Sequence, residues 1–210
     1  MNLAILAAAA AALYLYWQGR GPADESEYPT VTDDTPPDTA LPDTASEGGI
    51  LDWSMNWFDN LTTDPADALL NRNVQAFLMM IRTGEGTADA GGYSRLYGGG
   101  RFTSFADHPR QAVTANGITS TAAGAYQILA RTWDGLGLPD FMPANQDRAA
   151  VMLIKRRGAL ADVIAGRLER AIAKCNREWA SLPGAPYGQP TITSNRAAQL
   201  FAAYGGSQTA

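Results

Sequence analysis

The apolar positions in the middle of the chain follow a helical repeat. Four of them recur at i, i+3, i+4 and i+7 and so share one face of a helix: Val74, Phe77, Leu78 and Ile81. Asn71 or Asn73 precedes this stripe, and either side chain is suited to cap the first turn. The pattern therefore predicts an amphipathic helix that begins just after one of these asparagines.

Glu85 extends the same stripe to the end of the predicted helix. It lies eleven residues after Val74, and Gly84 and Gly86 on either side of it break the helical pattern. A carboxyl group beside an apolar face and a cleft is partly desolvated, which raises its pKa and lets it donate a proton near neutral pH. The spacing alone also fits a solvated glutamate at a helix terminus, so both interpretations stand at this point.

Glycines punctuate the next part of the chain. The stretch from 91 to 105 combines five glycines with four aromatic residues, which predicts a small hairpin sheet. The run of small residues from 117 to 129 leads into a helix, with Ser120 or Thr121 available as a cap. Small side chains let a ligand approach the backbone closely. Tyr126 and Gln127 form a polar pair that suits sugar hydroxyl or acetamido groups, although Tyr126 fits a core position equally well.

Amphipathic helices are also predicted in the last third of the chain. Apolar residues continue there at helical spacing: Val151, Ile154, Leu160, Val163, Ile164, Leu168, Ile172, Cys175 and Trp179. Cys175 has no basic partner and no helix-capping position beside it in the sequence. We therefore interpret it as a small buried residue rather than a nucleophile.

The N-terminal part has a different composition. Residues 3–17 are uncharged, rich in alanine and leucine, and end in aromatic residues that suit a membrane interface. The segment is shorter than the roughly 20 residues of a comfortable span, so an uncleaved anchor, a cleaved signal peptide and a buried helix are all open interpretations.

Residues 21–49 are acidic and proline-rich, which predicts a disordered tether. Residues 50–61 carry Trp53 and Trp57 in a short amphipathic helix that packs on the following domain or lies at a membrane interface.

Charge divides the chain in the same way. Residues 1–70 carry one arginine and twelve acids, a net charge of 1 − 12 = −11, whereas residues 71–210 carry fifteen basic and nine acidic residues, 15 − 9 = +6. The positive part favours an anionic polymer. Nucleic acid is not predicted, because no basic cluster interleaved with aromatic residues stands out beyond residues 155–157.

Several classes of enzyme are excluded by what the sequence lacks. A single cysteine forms no internal disulfide and no cysteine-rich zinc site, and a single histidine, His108, is too few for a two-histidine zinc hydrolase. A serine hydrolase would need His108 together with a Gly-x-Ser-x-Gly turn, which is missing, and so is a phosphate-binding loop ending in Gly-Lys-Ser or Gly-Lys-Thr. His108 is therefore interpreted as a structural residue, and no metal or cofactor is predicted.

Six motifs in the order of the chain closely resemble the lysozyme-like muramidases of the phage lambda endolysin type, over about residues 73–206. They are Ala76-Phe77-Leu78 leading to Glu85-Gly86-Thr87; Asp107-His108-Pro109-Arg110; residues 120–127; Gln146-Asp147; residues 154–160; and residues 179–184 with Tyr187-Gly188-Gln189. Two departures from the family pattern are small substitutions. Gly84 stands where the family commonly has serine before its acid, and Ala122 stands where it has glycine.

The resemblance implies an α+β, lysozyme-like fold that is mainly helical with a small β-hairpin region. It implies a bacterial peptidoglycan substrate and cleavage as a lytic transglycosylase, which leaves a 1,6-anhydro sugar on N-acetylmuramic acid. Glu85 matches the family's catalytic acid. Candidate substrate-binding residues are Ser120, Thr121, Gly124, Tyr126, Gln127, Tyr187 and Gln189, without a metal or cofactor, in a protein expected to be a monomer.

Two alternatives to this function are kept. A hydrolytic lysozyme needs a second carboxylate, for which Asp89 and Asp107 are candidates. A catalytically silent protein, either a glycan-binding module or a membrane-tethered virion component, would use the same cleft only for binding. The expected domains are a membrane or signal anchor at 1–20, a tether with a short amphipathic segment at 21–70, and the catalytic domain at 71–210. We expect the protein to be anchored in the inner membrane with its domain in the host periplasm, or to be associated with the virion.

Overall fold

The structure is a computed structural model that describes residues 62–115 and 117–209. The predicted membrane segment at 3–17, the tether at 21–49 and the predicted helix with Trp53 and Trp57 lie outside the described residues. Within the described residues, the helices are all too short or too polar to cross a membrane.

The described chain folds into α-helices with one short hairpin. The elements are α1 (Pro65–Ala68), α2 (Arg72–Gly84), β1 (Val113–Ala115), β2 (Ile118–Ser120), α3 (Ala130–Asp134), α4 (Pro143–Arg156), α5 (Leu160–Ile164), α6 (Leu168–Cys175) and α7 (Ser194–Ala203). Two single-turn 3₁₀ helices, Gly92–Ser94 and Tyr97–Gly99, lie between α2 and β1. This mainly helical α+β architecture confirms the predicted fold class for the described part of the chain.

Helix α2 forms the centre of the core. Its apolar stripe is fully buried, and the helix packs against α5 and α7. The Asn71 side chain accepts hydrogen bonds from the amides of Asn73 and Val74, so Asn71 is the cap. Asn73 instead joins distant segments, since its side chain donates to the Ile164 carbonyl and accepts from the Ser207 amide. The predicted helix is therefore confirmed.

The hairpin lies later in the chain than the sequence indicated. Strands β1 and β2 are antiparallel, with Val113 opposite Ser120 and Ala115 opposite Ile118. The prediction of a hairpin sheet between 91 and 105 was wrong, because that stretch forms the two 3₁₀ turns and takes part only in isolated bridges, Arg95 with Arg101 and Leu96 with Ala123. Its glycines provide left-handed backbone, as at Gly98 with φ of 74°, rather than a turn between two strands.

The small-residue run after β2 is not helical itself. It continues through turns to α3, whose first amide, at Ala130, donates to the Thr121 hydroxyl. Thr121, one of the two residues predicted as a cap, therefore caps α3, although it lies nine residues before the helix begins. In the later helices the apolar stripe is confirmed through Cys175, which is fully buried, whereas Trp179 is buried beyond the end of α6. Burial raises the pKa of the Cys175 thiol, which keeps it in its unreactive protonated form.

The folded part of the chain reaches further toward the N-terminus than residue 71. Asp64 caps α1, Ala68 is buried, and α1 packs against α4. The Lys155 ammonium group donates to the Thr63 carbonyl at 2.8 Å. Residues 62–70, which were assigned to the tether, thus pack on the domain.

Candidate active site

Glu85 lies at the C-terminal end of α2, as the spacing predicted. Its amide donates to the Ile81 carbonyl, and the chain then turns at Gly86, whose φ is 70°. Glu85 is partly exposed on the wall of a cleft of about 530 Å³, although protein atoms surround most of its carboxyl group. Helix α2 therefore presents a single carboxyl group to a cavity large enough for several sugar rings.

Ser181 is the hydrogen-bonding partner of this carboxyl group. Its hydroxyl donates to Glu85 Oε1 at 2.7 Å, and its backbone amide also donates to the carboxylate. Gly84 leaves the space for this contact, because a Cβ atom at position 84 would lie 2.6 Å from Ser181 Oγ. The glycine that departs from the family pattern thus makes room for the group that orients the acid.

Desolvation raises the pKa of Glu85 to about 6, and the two hydrogen bonds from Ser181 oppose that rise without cancelling it. Half of the Glu85 carboxyl groups are therefore protonated near pH 6. A group with this pKa donates a proton at one stage of a reaction and accepts one at the next. The expectation of a raised pKa for Glu85 is confirmed.

Three of the predicted substrate-binding residues line the cleft: Ser120, Gln127 and Gln189. Ser120 ends β2, and its hydroxyl accepts from the Ala122 amide. Gln127 has a φ of 48°, an uncommon value for a residue other than glycine, and its amide nitrogen donates to the Gly124 carbonyl at 3.0 Å. This backbone conformation and bond fix the direction of the Gln127 amide on the wall.

The other four predicted substrate-binding residues are not among those that line the cleft. The Thr121 hydroxyl caps α3, and the Tyr187 hydroxyl donates to the Arg177 carbonyl at 2.7 Å. Tyr126 is 2% exposed, and its hydroxyl donates to Asp147 at 2.6 Å. Gly124 has a φ of 76° and packs against the buried side chain of Gln146. These positions support the wall rather than forming its surface.

Several cleft residues were not singled out from the sequence. Arg95, Glu178 and Trp179 all line the cavity. The Trp179 indole nitrogen donates to the Tyr126 carbonyl, which fixes the ring. The Glu178 carboxylate accepts from Arg157 Nε at 2.9 Å, while desolvation raises its pKa. The only signals in the sequence were that Trp179 is the first residue of one of the family motifs and that Glu178 directly precedes it.

Asp89 and Asp107, the candidates for a second acid, do not line the cleft. Asp107 is held by hydrogen bonds from the Arg110 side chain, the His108 amide and Trp133 Nε1, which lower its pKa. Asp89 forms an ion pair with Arg95. Both aspartates are therefore engaged in hydrogen bonds or ion pairs with other residues of the protein.

His108 is buried and structural, as expected. Its Nδ1 accepts from the Arg110 amide and its Nε2 lies 2.8 Å from the Ile128 carbonyl, so Nε2 carries the proton in the neutral ring. Desolvation lowers its pKa, which favours this neutral form. Within residues 62–115 and 117–209, His, Cys, Asp and Glu side chains form no cluster of three that would hold a metal ion.

Comparison with known proteins gives consistent matches. The sequence model of the family described as Endolysin matches residues 75–208. The endolysin of Escherichia phage lambda is 46% identical over 131 residues, which cover 57% of this chain and 83% of that protein. The endolysin of Escherichia phage P2 is 43% identical over 156 residues, which cover 65% of this chain and 94% of that protein.

Solved structures show the same relationship in three dimensions. The lysozyme of bacteriophage lambda in complex with a chitohexasaccharide superposes with a TM-score of 0.63 at 41% identity, covering 66% of this chain and 97% of that chain. A second structure of lysozyme from bacteriophage lambda superposes with a TM-score of 0.59 at 40% identity. Residues 75–208, which the family model matches, include most of α2 and all the residues that line the cleft.

Proposed function

This chain belongs to the endolysin family and is a lysozyme-like muramidase, and on that premise we propose that Glu85 is its catalytic acid and base in a lytic transglycosylase reaction on peptidoglycan. The observation that carries the proposal is the position of Glu85, whose carboxyl group faces the cleft with a pKa of about 6 and a hydrogen bond from Ser181. The bond cleaved is the β-1,4 bond between N-acetylmuramic acid and N-acetylglucosamine.

One carboxyl group suffices for both proton transfers. Protonated Glu85 donates its proton to the glycosidic oxygen as the bond to C1 of the muramic acid breaks. The resulting carboxylate then accepts the proton of the O6 hydroxyl of the same sugar, and O6 bonds to C1. The product is a 1,6-anhydro sugar, Glu85 is protonated again, and no water is consumed.

The wall beside Glu85 supplies groups that bind sugars. We assign direct contacts to Ser120, Gln127 and Gln189, and a supporting role to Thr121, Gly124, Tyr126 and Tyr187. The solved relative in complex with a chitohexasaccharide shows that this fold holds a chain of N-acetylglucosamine units. An alternating chain of N-acetylglucosamine and N-acetylmuramic acid has the same backbone, which supports peptidoglycan as the substrate here.

The change Glu85→Gln tests the catalytic assignment. Glutamine has nearly the same volume and still accepts the Ser181 hydrogen bond, but it cannot donate and recover a proton. We expect clearing of a peptidoglycan suspension to fall about 1,000-fold. Glu169→Gln, an exposed position in the first turn of α6, is the matched control and should retain full activity. Residual activity above a few percent in Glu85→Gln would contradict the assignment.

Mass spectrometry of the products separates the transglycosylase from a hydrolase. Products that end in anhydromuramic acid support the proposed reaction, and products heavier by one water support hydrolysis. The specific observation behind the hydrolytic alternative is Glu178, which is the only carboxylate besides Glu85 among the described residues lining the cleft. If water is added, Glu178→Gln is the next variant to assay.

We further propose that residues 3–17 anchor the protein in the inner membrane, with the domain on the periplasmic side. The 29 residues from 21 to 49, treated as a flexible chain, would reach roughly 30 Å, enough to carry the domain away from the bilayer. The full chain should fractionate with membranes and be released by detergent, and deletion of residues 3–17 should make it soluble. Recovery of the intact chain in the soluble fraction would contradict the anchor, and its presence in purified particles would support the virion alternative.

A further inference from the structure

Arg95 is the only basic residue among the described residues that line the cleft. The other charged residues there are Glu85, which is assigned to catalysis, and Glu178, which is paired with Arg157. A neutral polysaccharide offers no charge for a guanidinium group to bind. The presence of Arg95 on this wall therefore points to an anionic group on the substrate.

The guanidinium group of Arg95 is held in place but not saturated. Its Nη2 donates to Asp89 Oδ2 at 2.6 Å, and Asp89 is itself fixed because its other oxygen accepts from the Gly91 amide at 2.7 Å. A guanidinium group has five N–H donors, and the bond to Asp89 uses one of them. Nε of Arg95 is buried and has no acceptor among the described residues. The side chain remains 24% exposed, so a ligand in the cleft can reach it.

Arg95 also adjoins the part of the wall assigned to sugar binding. Its carbonyl accepts from the Gly124 amide at 2.7 Å and lies 3.4 Å from Gln127 Nε2. These bonds join the backbone of Arg95 to the Gln127 amide, and both residues line the cleft. A substrate whose sugar contacts Gln127 would bring substituents of the same sugar or of its neighbour close to Arg95.

We propose that Arg95 is a specificity residue that binds a carboxylate on the muramic acid arm of peptidoglycan. This inference rests on the proposed function. N-acetylmuramic acid differs from N-acetylglucosamine by a lactyl group on O3, which bears either a free carboxylate or a peptide stem with its own carboxylates. The planar guanidinium group matches a carboxylate in shape and charge. Asp89 is then a positioning residue that holds Arg95, and chitin-type chains, which lack the lactyl arm, gain nothing from either residue.

The test compares Arg95→Gln with the wild-type full chain on three ligands. Intact peptidoglycan carries the stem carboxylates, strands stripped of their stems by an amidase carry the lactyl carboxylate, and chitohexaose carries neither. We expect KM for intact peptidoglycan to rise about fivefold with kcat nearly unchanged. The calorimetric Kd for chitohexaose should stay the same. A rise in KM on intact peptidoglycan alone identifies a stem carboxylate, and a rise on the stripped strands shows that Arg95 also binds the lactyl carboxylate, which is amidated in intact peptidoglycan and ionised only after the stem is removed.

Two further variants serve as controls. Arg101→Gln removes the same charge from an exposed residue of the same segment that does not line the cleft, so it should leave KM unchanged. Arg95→Lys keeps the charge without the planar fork and should recover part of the binding, and it serves if Arg95→Gln fails to fold. An unchanged KM in Arg95→Gln, an equal loss of chitohexaose binding, or the same KM rise in Arg101→Gln would overturn the proposal. Absence of peptidoglycan cleavage by the wild type would instead refute the proposed function.

Discussion

Two carboxylates of this domain, Glu85 in the cleft and Asp162 in helix α5, are both desolvated, yet their pKa values shift in opposite directions. For each of them, desolvation is the largest influence and acts to raise the pKa. Glu85 has only the hydrogen bonds of Ser181 to oppose it, and its pKa rises to about 6. Asp162 is 1% exposed, yet hydrogen bonds from Lys174 and Arg167 and the charges of Lys174 and Arg170 outweigh desolvation and lower its pKa.

The difference lies in the kind of donor. Lys174 Nζ and Arg167 Nε approach Asp162 at 2.6 and 2.8 Å, and each carries a full positive charge. Ser181 approaches Glu85 at a similar distance of 2.7 Å with a neutral hydroxyl. A neutral donor orients a carboxyl group while leaving it able to hold a proton, whereas cations fix it as an anion. The first arrangement suits proton transfer, and the second suits a structural link between α5 and α6.

Asp162→Asn should produce the largest change in stability, because it leaves three cations, Arg167, Arg170 and Lys174, beside a neutral amide. We expect the free energy of unfolding to fall by about 3 kcal/mol at pH 7. Since the folded-state pKa of Asp162 is lowered, its contribution is present above the unfolded-state pKa and is lost as the pH falls through the folded-state value. Chemical denaturation at pH 7 and pH 3 should show the gap between wild type and variant narrowing in acid. A gap that stayed constant or widened would show that packing, and not charge, holds Asp162.

Glu85→Gln should stabilise the folded protein, in contrast to Asp162→Asn. The folded-state pKa of Glu85 is raised, so the wild type is relatively stable below the unfolded-state pKa of about 4.5 and loses that stability as the pH rises through about 6. The amide escapes this loss because it never becomes charged. Above pH 7 the variant should be more stable than the wild type by about 1–2 kcal/mol, and near pH 4 the two should melt together. A variant less stable than the wild type at pH 8 would contradict the desolvation of Glu85.

Ser181→Ala should give a smaller effect, seen in the pH profile. Loss of the hydroxyl removes one hydrogen bond that lowers the pKa of Glu85, so the pKa should rise further. We expect the alkaline limb of the kcat/KM profile, centred near pH 6 in the wild type, to move upward by about half a pH unit. Thr193→Ala, which removes the exposed cap of α7, is a control for loss of a hydroxyl and should leave the limb in place. A downward shift in Ser181→Ala would mean that the hydroxyl does not stabilise the carboxylate.

The sequence predicted one side of this comparison better than the other. Helical periodicity placed Glu85 at the end of the apolar stripe of α2 but left a solvated glutamate open, and the resemblance of the surrounding motifs to the endolysin family then singled it out as the acid. Asp162 was not singled out, since its partners Arg167 and Lys174 belong to the turn after α5 and to α6, and the angle between those helices depends on packing. The contact between Glu85 and Ser181 joins residues 96 positions apart, and periodicity gives no information on such a distance.

The candidate binding residues show the same limit. Gln127 was predicted on the cleft wall from its residue type, and it lies there, but the neighbouring Tyr126 is buried in the core. The backbone at Gln127 has a φ of 48°, which no propensity for glutamine would suggest. The prediction also placed the hairpin in the wrong part of the chain. The glycines between 91 and 105 indicate that the backbone turns, but a hairpin and two successive 3₁₀ turns are both consistent with such glycines.

Gly84 and Ser181 lie so close together that the effect of a substitution at one position depends on the residue at the other. A Cβ atom at position 84 would lie 2.6 Å from Ser181 Oγ and 3.0 Å from its Cβ, so a larger residue there requires Ser181 or the adjoining backbone to shift. The cost of Gly84→Ala therefore depends on the residue at 181, and it should be smaller in a background that carries Ser181→Gly. Substitutions at the two sites are expected to be non-additive, so the order in which they arise decides whether an evolutionary path stays open.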